Sequence, residues 1–260
     1  MKKIIAIIFI LLCAVLFFYN RMPAFEEEIS LIEHSISEGQ LILVNKAIAV
    51  QSEPDNLKLL PSDFAENVVI NEDYYLQTEV LQSLFEMFEA AAEDGVENFQ
   101  INSTYRNQEQ QAGLFEEHGS DYALPAGYSE HQTGLAIDIG STVDRMEDAK
   151  EGKWLAKNAA NFGFILRYPE HKIDITEIAY EPWHFRYVGL PHSKIMQKKD
   201  LVLEEYLDFI KRKGSYMQRI QGVKYVVQYV EEVEEAKAPV GTYEISGNNV
   251  DGYIITTRLE

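Results

Sequence analysis

The chain has 260 residues, 46% apolar and 25% charged, the composition of a folded globular protein and not of a disordered one. Its 42 acidic against 23 basic residues leave a net charge of −19, which argues against nucleic-acid phosphates as partners and against lying flat on anionic lipid. A single cysteine, Cys13, excludes an intrachain disulfide and an all-cysteine zinc site, so any metal centre must be built from His, Asp and Glu.

The chain opens Met1-Lys2-Lys3, runs apolar from Ile4 to Tyr19, and meets charge again at Arg21. A charged start before an apolar run is an export signal. As a helix that run reaches about 24 Å, a little short of a hydrocarbon core of roughly 30 Å, and Asn20, Arg21 and Met22 can make up the rest. Phe17, Phe18 and Tyr19 stand where a cleavage site needs small residues, and Leu11-Leu12 are bulky for lipoprotein processing at Cys13. Residues 1–20 therefore read as a retained single-pass anchor in the cell membrane, with a cleaved signal as the alternative. The lysines stay in the cytoplasm and the bulk of the chain lies outside.

Residues 21–40 are acidic and mixed, and read as a helical or flexible stalk. Leu41 to Val44 reads as a strand. Residues 51–63, with Pro54, Asp55, Asn56 and Pro61, are loop chemistry. Tyr74 to Glu93 carries Leu76, Val80, Leu81, Leu84, Phe85 and Phe88 at helical spacing and is stopped by Asp94-Gly95. Phe99 and Ile101 alternate with Gln100 and Asn102 as a short strand; Asn107 to His118 is helical again. Leu135, Ile137 and Ile139 alternate with Ala136 and Asp138, a strand with one core face. Lys150 to Phe162 and Glu204 to Lys213 predict two further helices, the first ended by Gly163. Val223 to Val230 is strand-like, and Tyr243 to Ile245 with Tyr253 to Thr257 flank the hairpin residues Gly247-Asn248-Asn249. The division is a domain over 41–221 and a small β-rich extension over 222–260.

Two segments carry chemistry. In the first, His131 lies in a turn ending at Gly134, and Asp138 projects from the strand face opposite Leu135, Ile137 and Ile139, beside the small Ala136. A turn imidazole and a strand carboxylate can point at one spot, a nitrogen and an oxygen ligand of the kind zinc takes. In the second, Glu181 and His184 are three residues apart, with Pro182 keeping Glu181 extended. One of the pair can bind metal while the other stays outside. With Asp138 already a carboxylate ligand, Glu181 is better placed as a base. The set His131, Asp138 and His184 leaves a fourth position open to water, the mark of a catalytic zinc. Taken singly, the pieces also fit a surface turn histidine and a surface carboxylate.

Ser129-x-His131-x-x-Gly134-x-Ala136-x-Asp138 followed by Glu181-x-x-His184 resembles the VanY-type D-alanyl-D-alanine carboxypeptidases, zinc peptidases that share a fold with D-Ala-D-Ala dipeptidases and the hedgehog signalling domain. The resemblance extends to Leu43-Val44-Asn45-Lys46, Ser103-Thr104-Tyr105-Arg106 with Gln111, Phe162-Gly163-Phe164, Arg167-Tyr168-Pro169 and Trp183 to Gly189. It implies an α+β fold, a small antiparallel sheet carrying a Zn²⁺ site with helices packed on it, and here a β appendage. It implies zinc on His131, Asp138 and His184, Glu181 as general base, and Arg106 beside the scissile carbonyl. Ser129, Tyr105 and Gln111 are expected on the terminal D-residue, and Trp183 either walls the pocket or packs. The expected substrate is a peptidoglycan stem peptide or precursor ending in D-Ala-D-Ala, with no nucleotide and no nucleic acid. Rival readings are L,D-carboxypeptidase action on the tetrapeptide stem and a catalytically silent wall-binding module. Antibiotic resistance and wall remodelling both suit such an enzyme. Thr104 departs from the glycine common in relatives, and the extension beyond 222 has no recognised counterpart: it can cover the cleft, bind a partner or act as a spacer. His118, His171 and His192 match no motif and read as surface residues, and His34 as part of the stalk.

Overall fold

The computed structural model describes residues 21–120 and 123–259. The expected anchor, residues 1–20 with Cys13, lies outside the described residues. Among the described residues no helix is long and apolar enough to cross a membrane. In chain order the elements are β1 (Glu27–Ser30), β2 (Leu57–Leu59), β3 (Val68–Val69), β4 (Tyr75–Gln77), α1 (Thr78–Glu93), β5 (Phe99–Ser103), α2 (Gln108–His118), β6 (Ala136–Ser141), α3 (Lys150–Asn158), β7 (Phe164–Leu166), α4 (Ile173–Thr176), β8 (His184–Tyr187), α5 (His192–Lys199), α6 (Leu203–Lys213), β9 (Ser215–Ile220), β10 (Val223–Glu231), β11 (Glu235–Ala238), β12 (Thr242–Gly247) and β13 (Gly252–Leu259).

A five-stranded sheet in the order β3-β5-β6-β8-β7 carries the site; its pairings are antiparallel except β3 with β5. One face is core. Ile137 and Ile139 of β6 and Phe99 and Ile101 of β5 pack with Val80, Leu84, Met87 and Phe88 of α1 and Leu155 of α3, all fully buried. The alternation in β6 thus sorts apolar side chains to the helices and Asp138 to the opposite face. The α+β class and helix-backed sheet agree with expectation. Helix α1 begins at Thr78, because Tyr75–Gln77 pairs with Leu57–Leu59. Helix α2 is capped by Asn107, whose side chain accepts from Gln110 N while the Gln110 side chain accepts from Asn107 N, a reciprocal cap.

Within residues 215–259, four strands form an antiparallel sheet, β12-β13-β10-β9, while β11 pairs with β1. It begins at Ser215, earlier than the expected boundary, and the β12–β13 hairpin is present. Val227 and Ile254 pack with Tyr206, Leu207 and Ile210 of α6 and with Leu41 and Leu43, so this sheet shares a core with the site-bearing half. The expected stalk is neither helical nor loose here. Glu27–Ser30 pairs antiparallel with Glu235–Ala238, and Ile29 and Leu31 are buried against Tyr253 and Ile255. Its strand partner lies some two hundred residues downstream, beyond the reach of local pattern.

Leu41 to Val44 is buried but is not a strand, because its backbone bonds go elsewhere. Leu41 N donates to Ser246 Oγ (2.9 Å), Leu43 N to Asn248 O (3.1 Å), and Asn249 Nδ2 spans Leu43 O and Ala49 O (2.9 and 2.8 Å). The β12–β13 tip thereby clamps the segment 36–49. A Cβ on Gly247 would lie 2.0 Å from Ile36 O, so only glycine lets the two backbones approach this closely. His192 corrects the surface expectation: it is 1% exposed. Its Nδ1 lies 2.6 Å from Tyr206 Oη and its Nε2 3.0 Å from Thr256 Oγ1, joining α5, α6 and β13. Burial pushes its pKa down to about 3.

Candidate active site

Asp138 of β6 and His184 of β8 are direct cross-strand partners, so their side chains stand on the same face of the sheet. His131 approaches from a 3-10 turn, Glu130–Thr133, that runs into β6. Gly134 ends that turn at φ +68°, where a Cβ would meet Leu57 Cδ2 at 2.7 Å; the sharp reversal there needs glycine. His131 Nε2 lies 3.3 Å from Asp138 Oδ2, and His184 Nδ1 lies 3.0 Å from Asp138 Oδ1. One ligand atom from each of the three lies within 4.8 Å of the others.

The far nitrogen of each ring is already engaged. His131 Nδ1 donates to Thr104 O at 2.7 Å, and His184 Nε2 donates to Glu130 Oε2 at 3.3 Å. Each contact fixes a tautomer and leaves a lone pair toward Asp138, whose buried Oδ1 accepts no hydrogen bond. Two oriented imidazoles and an unsatisfied carboxylate fit a divalent transition-metal ion. Burial pushes His131 down, whereas for His184, buried equally, the carboxylates of Asp138 and Glu130 outweigh burial and hold its pKa at about 9 in the metal-free protein, so a metal ion at Nδ1 would displace a proton.

Glu130 is the residue that reading the sequence missed. It is 2% exposed and its Oε1 accepts from Arg167 Nε (2.9 Å) and Arg186 Nη1 (2.7 Å), both guanidiniums fully buried. Burial alone would raise its pKa, but Arg167, Arg186 and His184 hold it far below the ordinary carboxylate range. Arg167 is also bidentate on Glu204 (2.9 and 2.7 Å), and Arg186 Nη2 donates to Gln40 O and Ile42 O (3.1 and 2.9 Å). Tyr168 packs on His184, ring centroids 4.8 Å apart, and the Arg167 guanidinium lies over the Tyr168 ring at 4.9 Å. A charged residue between Phe185 and Tyr187 of a fully buried strand was the available signal for Arg186.

His131, Asp138 and His184 open on a cleft of about 300 Å³ whose lining includes Arg106, Gln111, Ser129, Glu181 and Trp183. Glu181 Oε2 lies 3.6 Å from His184 Nδ1, and burial raises its carboxyl pKa against the opposing pull of His184 and Arg106. Arg106 comes from the loop after β5, its N donating to His131 O (3.2 Å). Its buried Nε has no partner among the described residues, and burial lowers its pKa while Asp138 and Glu181 pull it back. Ser129 caps the His131 turn through Oγ, 3.4 Å from His131 N. Gln111 is 1% exposed, donates through Nε2 to Leu124 O (2.6 Å) and leaves Oε1 without a partner among the described residues. Trp183 is 39% exposed at the rim, where it walls the cleft. Tyr105 is not part of that lining; its N donates to Tyr75 O (3.1 Å).

A family profile described as VanY, D-alanyl-D-alanine carboxypeptidase, matches residues 73–190. The D-alanyl-D-alanine carboxypeptidase of Enterococcus faecium is 44% identical over 238 residues, covering 88% of this chain and 78% of that protein. The crystal structure of the vancomycin resistance D,D-dipeptidase VanXYg, in complex with a D-Ala-D-Ala phosphinate analog, superposes with TM-score 0.77 at 33% identity, covering 90% of this chain and 99% of that one. A variant of the vancomycin resistance D,D-pentapeptidase VanY from the VanB-type cassette, in complex with Zn(II), superposes with TM-score 0.52 at 30% identity, covering 65% and 98%.

Proposed function

The chain belongs to the VanY family of D-alanyl-D-alanine carboxypeptidases, and from that premise we propose that it is a zinc-dependent carboxypeptidase removing the terminal D-Ala from peptidoglycan stem peptides or their precursors. The observation that carries the zinc reading is the set of three ligand atoms within 4.8 Å whose other ring nitrogens are bonded elsewhere. His131 Nε2, Asp138 and His184 Nδ1 would hold the ion. Zinc held there supplies Lewis acidity and a water of lowered pKa.

The chain's own groups do the remaining work. Glu181, its basicity raised by burial, takes the proton of the attacking water and passes it to the leaving D-Ala amine. Arg106 brings an unpaired guanidinium to the charge that develops on the scissile carbonyl oxygen, where a fixed donor in a dry site is strongest. Ser129 and Gln111, both in the cleft lining, take the terminal residue in this proposal, whereas Tyr105 lies outside that lining and is left without a substrate role. Glu130 holds the His184 ring. Outside the described residues, the apolar run from Ile4 to Tyr19 anchors the enzyme with its peptidase facing the wall. Removing the terminal D-Ala takes away a contact for glycopeptide antibiotics, which suits the vancomycin-resistance names of its relatives.

The test is mass spectrometry of defined stem peptides incubated with zinc-loaded protein. D-Ala loss from the pentapeptide, abolished by a chelator and restored by zinc, is the expected result. Release from the tetrapeptide alone would replace the D,D assignment by an L,D one, and release from neither would end the proposal.

A further inference from the structure

Lys46 lines the same cleft as Arg106, Ser129 and Glu181, and nothing in the reaction just derived uses it. Lysines on a surface normally wander, but this one is built in place. Asn45 closes a tight turn beneath it: Asn45 Oδ1 accepts from Ala47 N and Ile48 N (both 3.0 Å) and Asn45 N donates to Ile48 O (3.0 Å). Asn249 Nδ2 ties down Leu43 O and Ala49 O on either side of the turn. At the far end, Lys46 Nζ donates to the backbone carbonyl of Glu177 at 2.7 Å.

That carbonyl is its one partner among the described residues, and it is neutral. In a chain of net charge −19, this ammonium at the cleft makes no ion pair with any described carboxylate. An ammonium carries three donors, so two remain for a guest. The cleft is otherwise rich in acid, with Asp138 and Glu181 in its wall, and an anionic substrate needs a positive counterpart at its points of charge. Arg106 is committed to the scissile carbonyl.

The geometry points to Lys46 as a substrate-binding residue that pairs with a carboxylate of the peptide. This rests on the peptidase reading above. Two carboxylates share that chemistry: the free C-terminus and an acidic group further up the stem.

Three peptides separate them, each ending in D-Ala-D-Ala: one with both carboxylates, one with an amidated C-terminus used as a competitor, and one with the upstream carboxylate amidated. For the first, Lys46→Met is expected to raise KM about tenfold to a hundredfold, the scale of a charge-assisted hydrogen bond, with kcat within about threefold. Lys46→Arg should recover most of the loss, and the thermal midpoint should not move, since Lys46 is exposed and the turn is closed by Asn45. The penalty should vanish for the one peptide that lacks the paired carboxylate, which identifies it. An unchanged KM, a penalty equal for all three peptides, or a loss confined to kcat would overturn the assignment. If the wild type cuts none of them, the proposed function fails instead, and dissociation constants of the same three peptides then read the Lys46 question by the same criteria.

Discussion

Replacing Glu130 by Gln is isosteric, so its effect isolates charge and proton placement. One carboxylate now meets three donors: Arg167 Nε at 2.9 Å, Arg186 Nη1 at 2.7 Å and His184 Nε2 at 3.3 Å. A glutamine must turn its NH₂ toward one side. Facing the guanidiniums, it sets donor against donor. Facing His184, it calls for a lone pair on Nε2 and moves the ring proton to Nδ1, the nitrogen that looks at Asp138. Either choice has a cost. Breaking a buried ion pair by removing one partner costs about 3–5 kcal/mol, and the lower end applies because Arg167 keeps Glu204 and Arg186 keeps two carbonyls. Loss of a carboxylate that orients a ligating histidine weakens metal binding about 10–100-fold. Chelator competition for zinc and urea unfolding of the metal-free protein measure the two effects separately. A Glu130→Gln protein with wild-type zinc affinity and an unchanged urea midpoint would refute this account of how His184 is held.

Glu181→Gln should behave in the opposite way, keeping zinc while turnover drops by about 10²-fold or more; a wild-type rate would remove Glu181 from the chemistry. Stability should depend on His192. Its folded pKa of about 3 lies below the unfolded value of about 6.5, so its contribution is complete above pH 6.5 and is lost as pH falls toward 3, at most about 4–5 kcal/mol. A His192→Gln variant, followed by urea melts across that window, should show a flatter profile, and an equally steep one would sink the assignment. Asn249→Asp replaces a donor pair to Leu43 O and Ala49 O with repelling oxygens and should destabilise by about 1–3 kcal/mol, more than Asn249→Gly, which keeps the left-handed backbone at φ +59°. Urea midpoints of both variants equal to that of the wild type would show that the Nδ2 contacts contribute nothing.

Much of the candidate site was legible because His131 and Asp138 sit on strong local patterns. Alternation around Asp138 gave its strand face, and a turn glycine after His131 gave the approach of that ring. The supporting shell was not legible, because a lone charge in a sequence looks like a solvated one. Glu130, Arg167 and Arg186 are buried only by virtue of one another, across 37 and 56 positions of chain. His192 was misread for the same reason: its partners Tyr206 and Thr256 lie 14 and 64 residues away. The 21–40 segment and the Leu41 to Val44 stretch failed because both are completed by residues near the other end, which no window of local periodicity contains.

The clamp between the β12–β13 tip and residues 36–49 makes the backing of the site a joint between distant parts of the chain. Gln40 and Ile42, whose carbonyls satisfy Arg186, sit in a segment pinned by Ser246, Asn248 and Asn249. A chain nicked short of residue 242 would therefore keep His131, Asp138 and His184 in its sequence and lose what steadies the wall behind them.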